Sequence, residues 1–153
     1  MKARDEAMRL DHQMCFALYR ASRAMTRAYA DLLEPLGITY PQYLTLLALW
    51  EEDGASMKRL GERLTLDSAT LTPLLKRLEQ EGIVERRRDT ADERVVRVFV
   101  TKRGRGLQVK ARSVPAAMAC RVGAGADDTS ALKKLTRLKE ELEELTRTLD
   151  PTG

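Results

Sequence analysis

The segment from Met57 to Val100 restricts the fold more than any other part of the chain. It reads MKRLGERLTLDSATLTPLLKRLEQEG and then IVERRRDTADERVVRVFV. Ser56 can cap a first short helix, and Asp67 or Ser68 can cap a second one. Two β-branched runs that flank the polar DTADE turn then predict a β-hairpin. The sequence therefore predicts two short helices followed directly by a two-stranded hairpin.

This order of elements is that of a winged helix-turn-helix module. We expect the first helix at Met57–Leu64, and the second to run to Glu81, with Gly82 at its C′ position. Small hydroxyl residues at a helix N-terminus suit entry into a major groove, and cations two turns later suit phosphates. The candidate DNA contacts in this helix are Ser68, Thr70, Thr72, Lys76 and Arg77. The alternative is that Ser68 and Thr72 only cap the helix.

The predicted hairpin is strongly basic. Arginines line its strands at positions 86, 87, 88 and 97, and Arg94 lies at the turn. An arginine at a wing tip can enter a narrow minor groove, where the negative potential is strongest. Asp92 could orient Arg94 by a charge-assisted hydrogen bond. Arg86, Asp92 and Arg94 are therefore further candidate DNA-binding residues, and a merely solvated hairpin is the alternative.

The positive charge of the chain is concentrated in this central part. Residues 56–105 carry thirteen Lys and Arg against eight Asp and Glu, a net charge of +5. The rest carries fourteen against fifteen, a net charge of −1, so the whole chain has +4. A phosphate-facing surface explains this asymmetry, and a solvated charged face is the alternative.

Long amphipathic helices are predicted on both sides of the module. Leu10–Leu33 carries apolar residues at spacings of three and four, and Pro115 predicts a kink or a break within the helical stretch 102–122. Thr129 is expected to cap a last helix of leucines at positions 132, 135, 138, 142, 145 and 149. Such faces would expose a large apolar surface in a monomer, so we expect a homodimer. The alternative is packing within one chain.

Three regions follow from this organisation. Residues 1–54 would hold N-terminal helices for dimerisation, with Cys15. Residues 55–104 would form the winged helix-turn-helix module, and residues 105–153 the C-terminal dimerisation helices, with Cys120. The predicted fold class is thus mainly α with a small β-hairpin wing, and the terminal helices form a homodimer interface.

The composition excludes several classes of protein. No apolar run is long enough to span a membrane, and the first nine residues lack the apolar core of an export signal. Two cysteines 105 positions apart and one histidine give no metal-ligand spacing, and no cofactor loop is present. We therefore expect a cytoplasmic protein with reduced thiols, without metal, cofactor or catalytic residues.

The stretch LDHQMCFALY contains Cys15 and the chain's only histidine, His12. The start of a helix favours a thiolate, which a sensor or a nucleophile requires. His12 lies three residues earlier on the same helical face, so a catalytic Cys–His pair is geometrically feasible. A small buried hydrophobe is nevertheless the commonest role of a helical cysteine. The residues alone leave these alternatives open.

Longer matches suggest a family. The stretch ERLTLDSATLTPLLKRLEQEGIVERRRDTADER resembles the MarR family of bacterial transcription regulators, including the wing signature at Asp92, Glu93 and Arg94. LDHQMCFALY and LGITYPQYLTLLALW are similar to the branch of organic hydroperoxide resistance regulators. The resemblance covers roughly residues 10–149. His12 and Thr65 depart from the usual residues, an asparagine and an aromatic.

The resemblance implies a function and a set of residues. Members of this branch are homodimeric repressors that leave operator DNA when a cysteine is oxidised by organic hydroperoxide. The reactive cysteine corresponds to Cys15, and two tyrosines that bind its thiolate from the partner subunit correspond to Tyr29 and Tyr40. Cys120 matches the second cysteine of a two-cysteine subtype, whose disulfide joins the subunits.

The residues add two observations of their own. Tyr19 lies at i+4 from Cys15 on the same face, so it is a third candidate for stabilising the thiolate. Tyr29 and Tyr40 lie too far along the chain for one straight helix to bring both to Cys15. Two rival functions remain, a regulator gated by a small aromatic ligand and, less favoured, a cysteine-dependent enzyme.

Overall fold

The structure, a computed structural model, describes residues 6–125 and 128–150. Within them lie these α-helices and an antiparallel β-hairpin: α1 (Met14–Leu33), α2 (Tyr40–Glu51), α3 (Met57–Leu64), α4 (Ser68–Gln80), β1 (Val84–Arg88), β2 (Val96–Val100), α5 (Lys102–Ala111), α6 (Val114–Arg121) and α7 (Thr129–Leu149). Short 3-10 turns at Leu10–His12 and Glu34–Leu36 flank α1. The predicted mainly helical fold with a hairpin wing is confirmed.

Local capping chemistry sets most helix ends. The side chain of Ser56 accepts a hydrogen bond from the Arg59 amide at 3.1 Å, and Asp67 accepts one from the Thr70 amide at 2.8 Å. Gly82 terminates α4 at the C′ position with a φ of 68°, as predicted. The helical stretch is broken between α5 and α6, and Pro115 lies in the first turn of α6, where the missing N–H of a proline costs no helical hydrogen bond.

Two predicted helix starts are wrong. α1 begins at Met14 rather than Leu10, because Leu10–His12 forms a separate 3-10 turn and Gln13 adopts an extended backbone. The cap of α7 is Asp128 and not Thr129. The Asp128 carboxylate accepts a hydrogen bond from the Ala131 amide at 2.9 Å, and Thr129 is the first residue inside the helix.

One apolar core joins α2, α3, α4 and the hairpin. Its side chains are almost completely buried and include Leu46, Leu49, Leu60, Leu71, Leu75, Leu78, Val84 and Val98. The hairpin pairs Val84 with Val100 and Arg88 with Val96. Burying these side chains is the main source of the module's stability.

An isolated β-bridge between Ser56 and Arg97 attaches the wing to the segment that follows α2. The Gly54 amide donates to the Val98 carbonyl at 3.0 Å, and the Val98 amide donates to the Ala55 carbonyl at 3.0 Å. Gly54 has a φ of 79°, and a Cβ there would lie 2.7 Å from the Phe99 ring. A side chain at this position would therefore strain the backbone and displace the ring.

The terminal helices lack such a core. Among the described residues, α1 buries only Leu33 and α7 buries none of its side chains. Leu10, Met14, Leu138 and Leu142 are all exposed. No helix in the described residues is both long and apolar enough to cross a membrane.

Candidate functional site

Helix α4 exposes the residues predicted to contact DNA. Its apolar positions, Leu71, Leu75 and Leu78, are at most 1% exposed and face the core. The opposite face exposes the polar side chains of Ser68, Thr70, Thr72, Lys76 and Arg77. Hydrogen bonds from the side chain and the amide of Thr70 hold the pKa of Asp67 below its usual range. The cap is therefore charged at neutral pH and fixes the first turn of α4.

The tip of the wing carries an oriented arginine. Arg94 is 91% exposed, and its Nε lies 3.1 Å from Asp92 Oδ1. Hydrogen bonds from Arg94 lower the pKa of Asp92, although the nearby Asp89 carboxylate opposes this shift. The predicted ion pair between Asp92 and Arg94 is thus formed, and it leaves most of the guanidinium accessible.

Arg86 has a different environment from Arg94. Its Nε and Nη2 lie 3.0 and 2.7 Å from Glu79 Oε2, and its amide donates to Glu79 Oε1 at 2.9 Å. This three-bond contact ties β1 to α4, so the charge of Arg86 is already neutralised within the chain. Its DNA contact stays a prediction. Glu79 was not identified from the sequence, because no periodicity relates a helix end to a strand seven residues later.

Cys15 is an exposed free thiol in the first turn of α1. Tyr19 lies one turn further, and its hydroxyl accepts a hydrogen bond from Arg23 Nη1 at 2.8 Å. His12 Nδ1 lies 3.0 Å from the Glu6 carbonyl, to which only a protonated nitrogen can donate. One ring nitrogen of His12 is therefore engaged by the backbone.

A tyrosine pair lies at the other end of α1. The rings of Tyr29 and Tyr40 stack with centroids 4.5 Å apart, and the Tyr43 ring is 6.0 Å from that of Tyr29. Burial raises the pKa of Tyr29, and burial together with the repulsion that an ionised Tyr29 would exert raises the pKa of Tyr40. Both side chains therefore remain phenols, able to donate hydrogen bonds, at neutral pH.

Helix α6 brings Cys120 to the same end of α1. Cys120 is also an exposed free thiol. Its neighbour Arg121 donates from Nη1 to the Ala28 carbonyl at 2.8 Å and lies 3.1 Å from Asp31 Oδ2. No local pattern in the sequence predicts this contact, because it joins residues about ninety positions apart.

Within one chain, the residues of the predicted thiol site are therefore far apart. Cys15 and Tyr29 lie on one helix 14 residues apart, which corresponds to about 21 Å along its axis. The fold brings Tyr29, Tyr40 and the end of α6 together, whereas Cys15 and Tyr19 lie at the opposite end. No cluster of His, Cys, Asp and Glu able to hold a metal ion occurs among residues 6–125 and 128–150.

Comparisons with known proteins agree with this architecture. A family model described as transcriptional regulator SarA/Rot matches residues 27–110. The HTH-type transcriptional regulator TtmR of Methylorubrum extorquens is 51% identical over 140 residues, 91% of this chain and 72% of TtmR. The organic hydroperoxide resistance transcriptional regulator of Bacillus subtilis is 50% identical over 115 residues, 75% of this chain and 78% of the relative.

Solved structures of AbfR, a protein of Staphylococcus epidermidis, are similar over almost the whole chain. Reduced AbfR bound to DNA superposes with a TM-score of 0.78 at 37% identity, covering 95% of this chain and 98% of AbfR. Disulfide-formed AbfR gives a TM-score of 0.65 at 37% identity, covering 99% of both chains. The chain therefore belongs to the SarA/Rot family of MarR-like winged-helix proteins and is a transcriptional regulator.

Proposed function

We propose that the chain represses transcription as a homodimer on operator DNA and leaves the DNA when an organic hydroperoxide oxidises Cys15. The observation that carries this proposal is the separation of the thiol site along α1. Cys15 lies at one end of the helix, while Tyr29, Tyr40 and Cys120 lie at the other. The similarity to the Bacillus subtilis regulator and to AbfR supports the same function.

A two-fold dimer with antiparallel α1 helices would complete the site. Such an axis brings Cys15 of one subunit to the tyrosine pair and Cys120 of the other. The exposed apolar side chains of α1 and α7, such as Met14, Leu138 and Leu142, supply the surface for this association. The proposal thus accounts for both the divided site and the uncovered helices.

The chemistry needs no cofactor. The Cys15 thiolate attacks the distal oxygen of the hydroperoxide, the O–O bond breaks, and the alcohol leaves after taking up a proton. The sulfenic acid at Cys15 then condenses with the Cys120 thiol of the other subunit, forming a disulfide and releasing water. Tyr29 and Tyr40 donate hydrogen bonds that favour the thiolate before the reaction.

Release of DNA follows from the position of the disulfide. In the proposed dimer the two α4 helices enter successive major grooves, about 34 Å apart, and the wings reach the flanking minor grooves. A bond between Cys15 and Cys120 pulls on α1 and α6, which carry the modules. A change of spacing by a few ångströms prevents both α4 helices from engaging together.

The test compares wild type, Cys15→Ser and Cys120→Ser in a DNA mobility shift assay, with and without cumene hydroperoxide, beside a non-reducing gel. We expect oxidised wild type to lose DNA and to gain a dimer-sized band that dithiothreitol removes. Cys15→Ser keeps DNA in oxidant. Cys120→Ser forms no cross-link and keeps DNA in oxidant, because release requires the disulfide. Release of DNA by oxidised Cys15→Ser would contradict the sensor assignment, and a cross-link in Cys120→Ser would contradict the resolving role.

A cavity supports a second candidate, the ligand-gated regulator. A space of about 250 Å³ between α2, α5 and α6 is lined by Tyr43, Leu47, Trp50, Arg112 and Pro115. Tyr43 and Trp50 suit a small aromatic ring and Arg112 suits an acid group on it, although Glu51 also lines the space. A regulator gated there keeps DNA in peroxide and releases it with salicylate. We propose no enzymatic activity. Peroxide consumption distinguishes the two cases, because an enzyme would consume many equivalents of peroxide per chain, whereas the sensor consumes one.

A further inference from the structure

A groove between the start of α2 and the second half of α4 contains a buried polar group without a partner. Gln42 is only 3% exposed. Its Oε1 accepts a hydrogen bond from the Thr39 amide at 2.8 Å, while its Nε2 has no partner among the described residues. Because the Thr39 amide can only donate, the side-chain oxygen must face it. The unused donors are therefore the two N–H groups of Nε2.

The capping role of Gln42 does not require these donors. Thr39 and Gln42 form a capping box, in which the side chain at the third helical position accepts from the cap amide. A glutamate performs this role equally well and leaves no N–H group unsatisfied. Burial of an unpaired amide is costly, so Nε2 needs an acceptor that comes from outside the chain.

The surroundings of Gln42 favour an anion as that acceptor. The groove has a volume of about 510 Å³, and its polar lining consists of Thr39, Gln42, Lys76, Arg77 and Gln80. No carboxylate is among these described lining residues. Lys76 and Arg77 are exposed and form no ion pair with any residue that the structure describes. The positive end of the α2 dipole adds to the attraction.

We propose that this groove binds one phosphate of the DNA backbone, with Gln42 Nε2 as a hydrogen-bond donor and Lys76 and Arg77 as its counter-charges. The inference rests on the proposed DNA-binding function and adds α2 to the elements that contact the duplex. Lys76 and Arg77 share α4 with the hydroxyl residues expected to meet the bases, so a duplex docked on α4 passes its backbone along the groove. Their long side chains can move aside to admit a phosphate oxygen.

The first test separates phosphate binding from helix capping. Gln42→Glu retains the capping box, and the positive end of α2 together with Lys76 and Arg77 offsets the cost of burying the carboxylate, so we expect the thermal midpoint to stay close to that of wild type. The carboxylate repels a phosphate. We expect the affinity for a mixed-sequence duplex of about three helical turns, measured by fluorescence anisotropy, to fall at least about tenfold. Gln108→Glu in α5 adds the same charge outside the groove and should change the affinity less than about twofold.

A second variant guards against misfolding of the first. Gln42→Met removes the donors and the capping acceptor without adding charge, so its thermal midpoint falls, and for the folded protein we expect about threefold weaker binding with an unchanged slope of log K against log salt. A folded Gln42→Glu variant that binds the duplex with wild-type affinity would overturn the proposal. Loss of duplex binding by the wild type itself would instead overturn the DNA-binding function.

The third test determines whether Gln42 itself responds to DNA and whether the bound phosphate belongs to the duplex or is a free anion. The side-chain amide resonances of Gln42 in ¹⁵N NMR should shift on addition of the duplex and not with inorganic phosphate at matched ionic strength. A shift with inorganic phosphate alone would identify a free-anion site and contradict the assignment to the backbone. Resonances that do not shift when the duplex is added would indicate that Gln42 acts only as a helix cap and would also refute the proposal.

Discussion

The winged module and the terminal helices have similar leucine patterns but bury them differently. In the module, Leu60, Leu71 and Leu75 are at most 1% exposed. In α7, Leu138 is 51% exposed and Leu149 is 75% exposed. A spacing of three and four identifies the apolar face of a helix but not the surface that covers it. In the module, other elements of the same chain bury the leucines, whereas the described part of the chain leaves Leu138 and Leu149 of α7 exposed.

The proposed sensor, Cys15, lies in the region without a core. Cys15 follows Met14 in the chain, and Leu10 and Met14 are 59% and 58% exposed. In the proposed dimer, association rather than packing within the chain would therefore hold this region in place. A modification of Cys15 can alter the association without unfolding the module, which suits a switch.

The largest expected effect comes from breaking association at α7. The double variant Leu138→Glu and Leu142→Glu places two charges on the exposed leucine face. We expect a monomer in light scattering and at least about 100-fold weaker binding to a duplex with two half-sites, because the second module is no longer held near its site. The thermal midpoint of the module should change little, since neither leucine is buried in it.

Lys133→Glu is the matched control for this variant. It changes the net charge by the same two units but lies on the opposite face of α7. It should remain dimeric. A dimeric Leu138→Glu, Leu142→Glu variant would remove the leucine face from the proposed interface.

The sequence predicted the module well because its signals are local. Asp67 and Ser56 cap helices within three residues of their partners, and Gly82 adopts the left-handed conformation at the end of α4. The hairpin follows from two β-branched runs and a polar turn. In each case the residues that decide the structure are neighbours in the chain, so their pattern is visible in the sequence.

Contacts between distant elements were not predictable in this way. The position of Arg86 in a basic run suggests a DNA contact, yet its guanidinium binds Glu79. Arg121 contacts Ala28 and Asp31 across the fold. The unpaired amide of Gln42 depends on how α4 covers the start of α2. Such partners depend on tertiary packing, which no local pattern specifies.

An intermediate effect is expected at the wing tip, which belongs to the module but not to its core. Arg94→Ala removes a cation that is 91% exposed and bound only to Asp92 among the described residues. We expect about tenfold weaker DNA binding and a salt slope smaller by about 1, with the dimer and the thermal midpoint unchanged. Arg137→Ala removes a similarly exposed, carboxylate-paired arginine from α7 and serves as control. Equal DNA affinities of both variants would exclude a DNA contact of the wing tip.

The smallest effect concerns the stability of the module itself. Glu79→Gln weakens the contact between α4 and β1, where Glu79 is 34% exposed and Arg86 is 27% exposed. Allowing for solvent screening, we expect the free energy of unfolding at pH 7 to fall by about 1 kcal/mol in urea denaturation. Glu62→Gln breaks an exposed pair with Lys58 and should change it by much less.

The pH dependence distinguishes the charge of Glu79 from its packing. Hydrogen bonds from Arg86 hold the pKa of Glu79 below its ordinary value of 4.5. A depressed folded-state pKa stabilises the protein above the unfolded pKa, and this contribution is lost as the pH falls through the folded pKa. The difference between wild type and Glu79→Gln should therefore be constant from pH 7 to about pH 5 and shrink at lower pH. A difference that persists when Glu79 is protonated would assign the effect to packing. In that case the stability of the module would depend only on its buried core, and the ion pair would not contribute to holding the wing on α4.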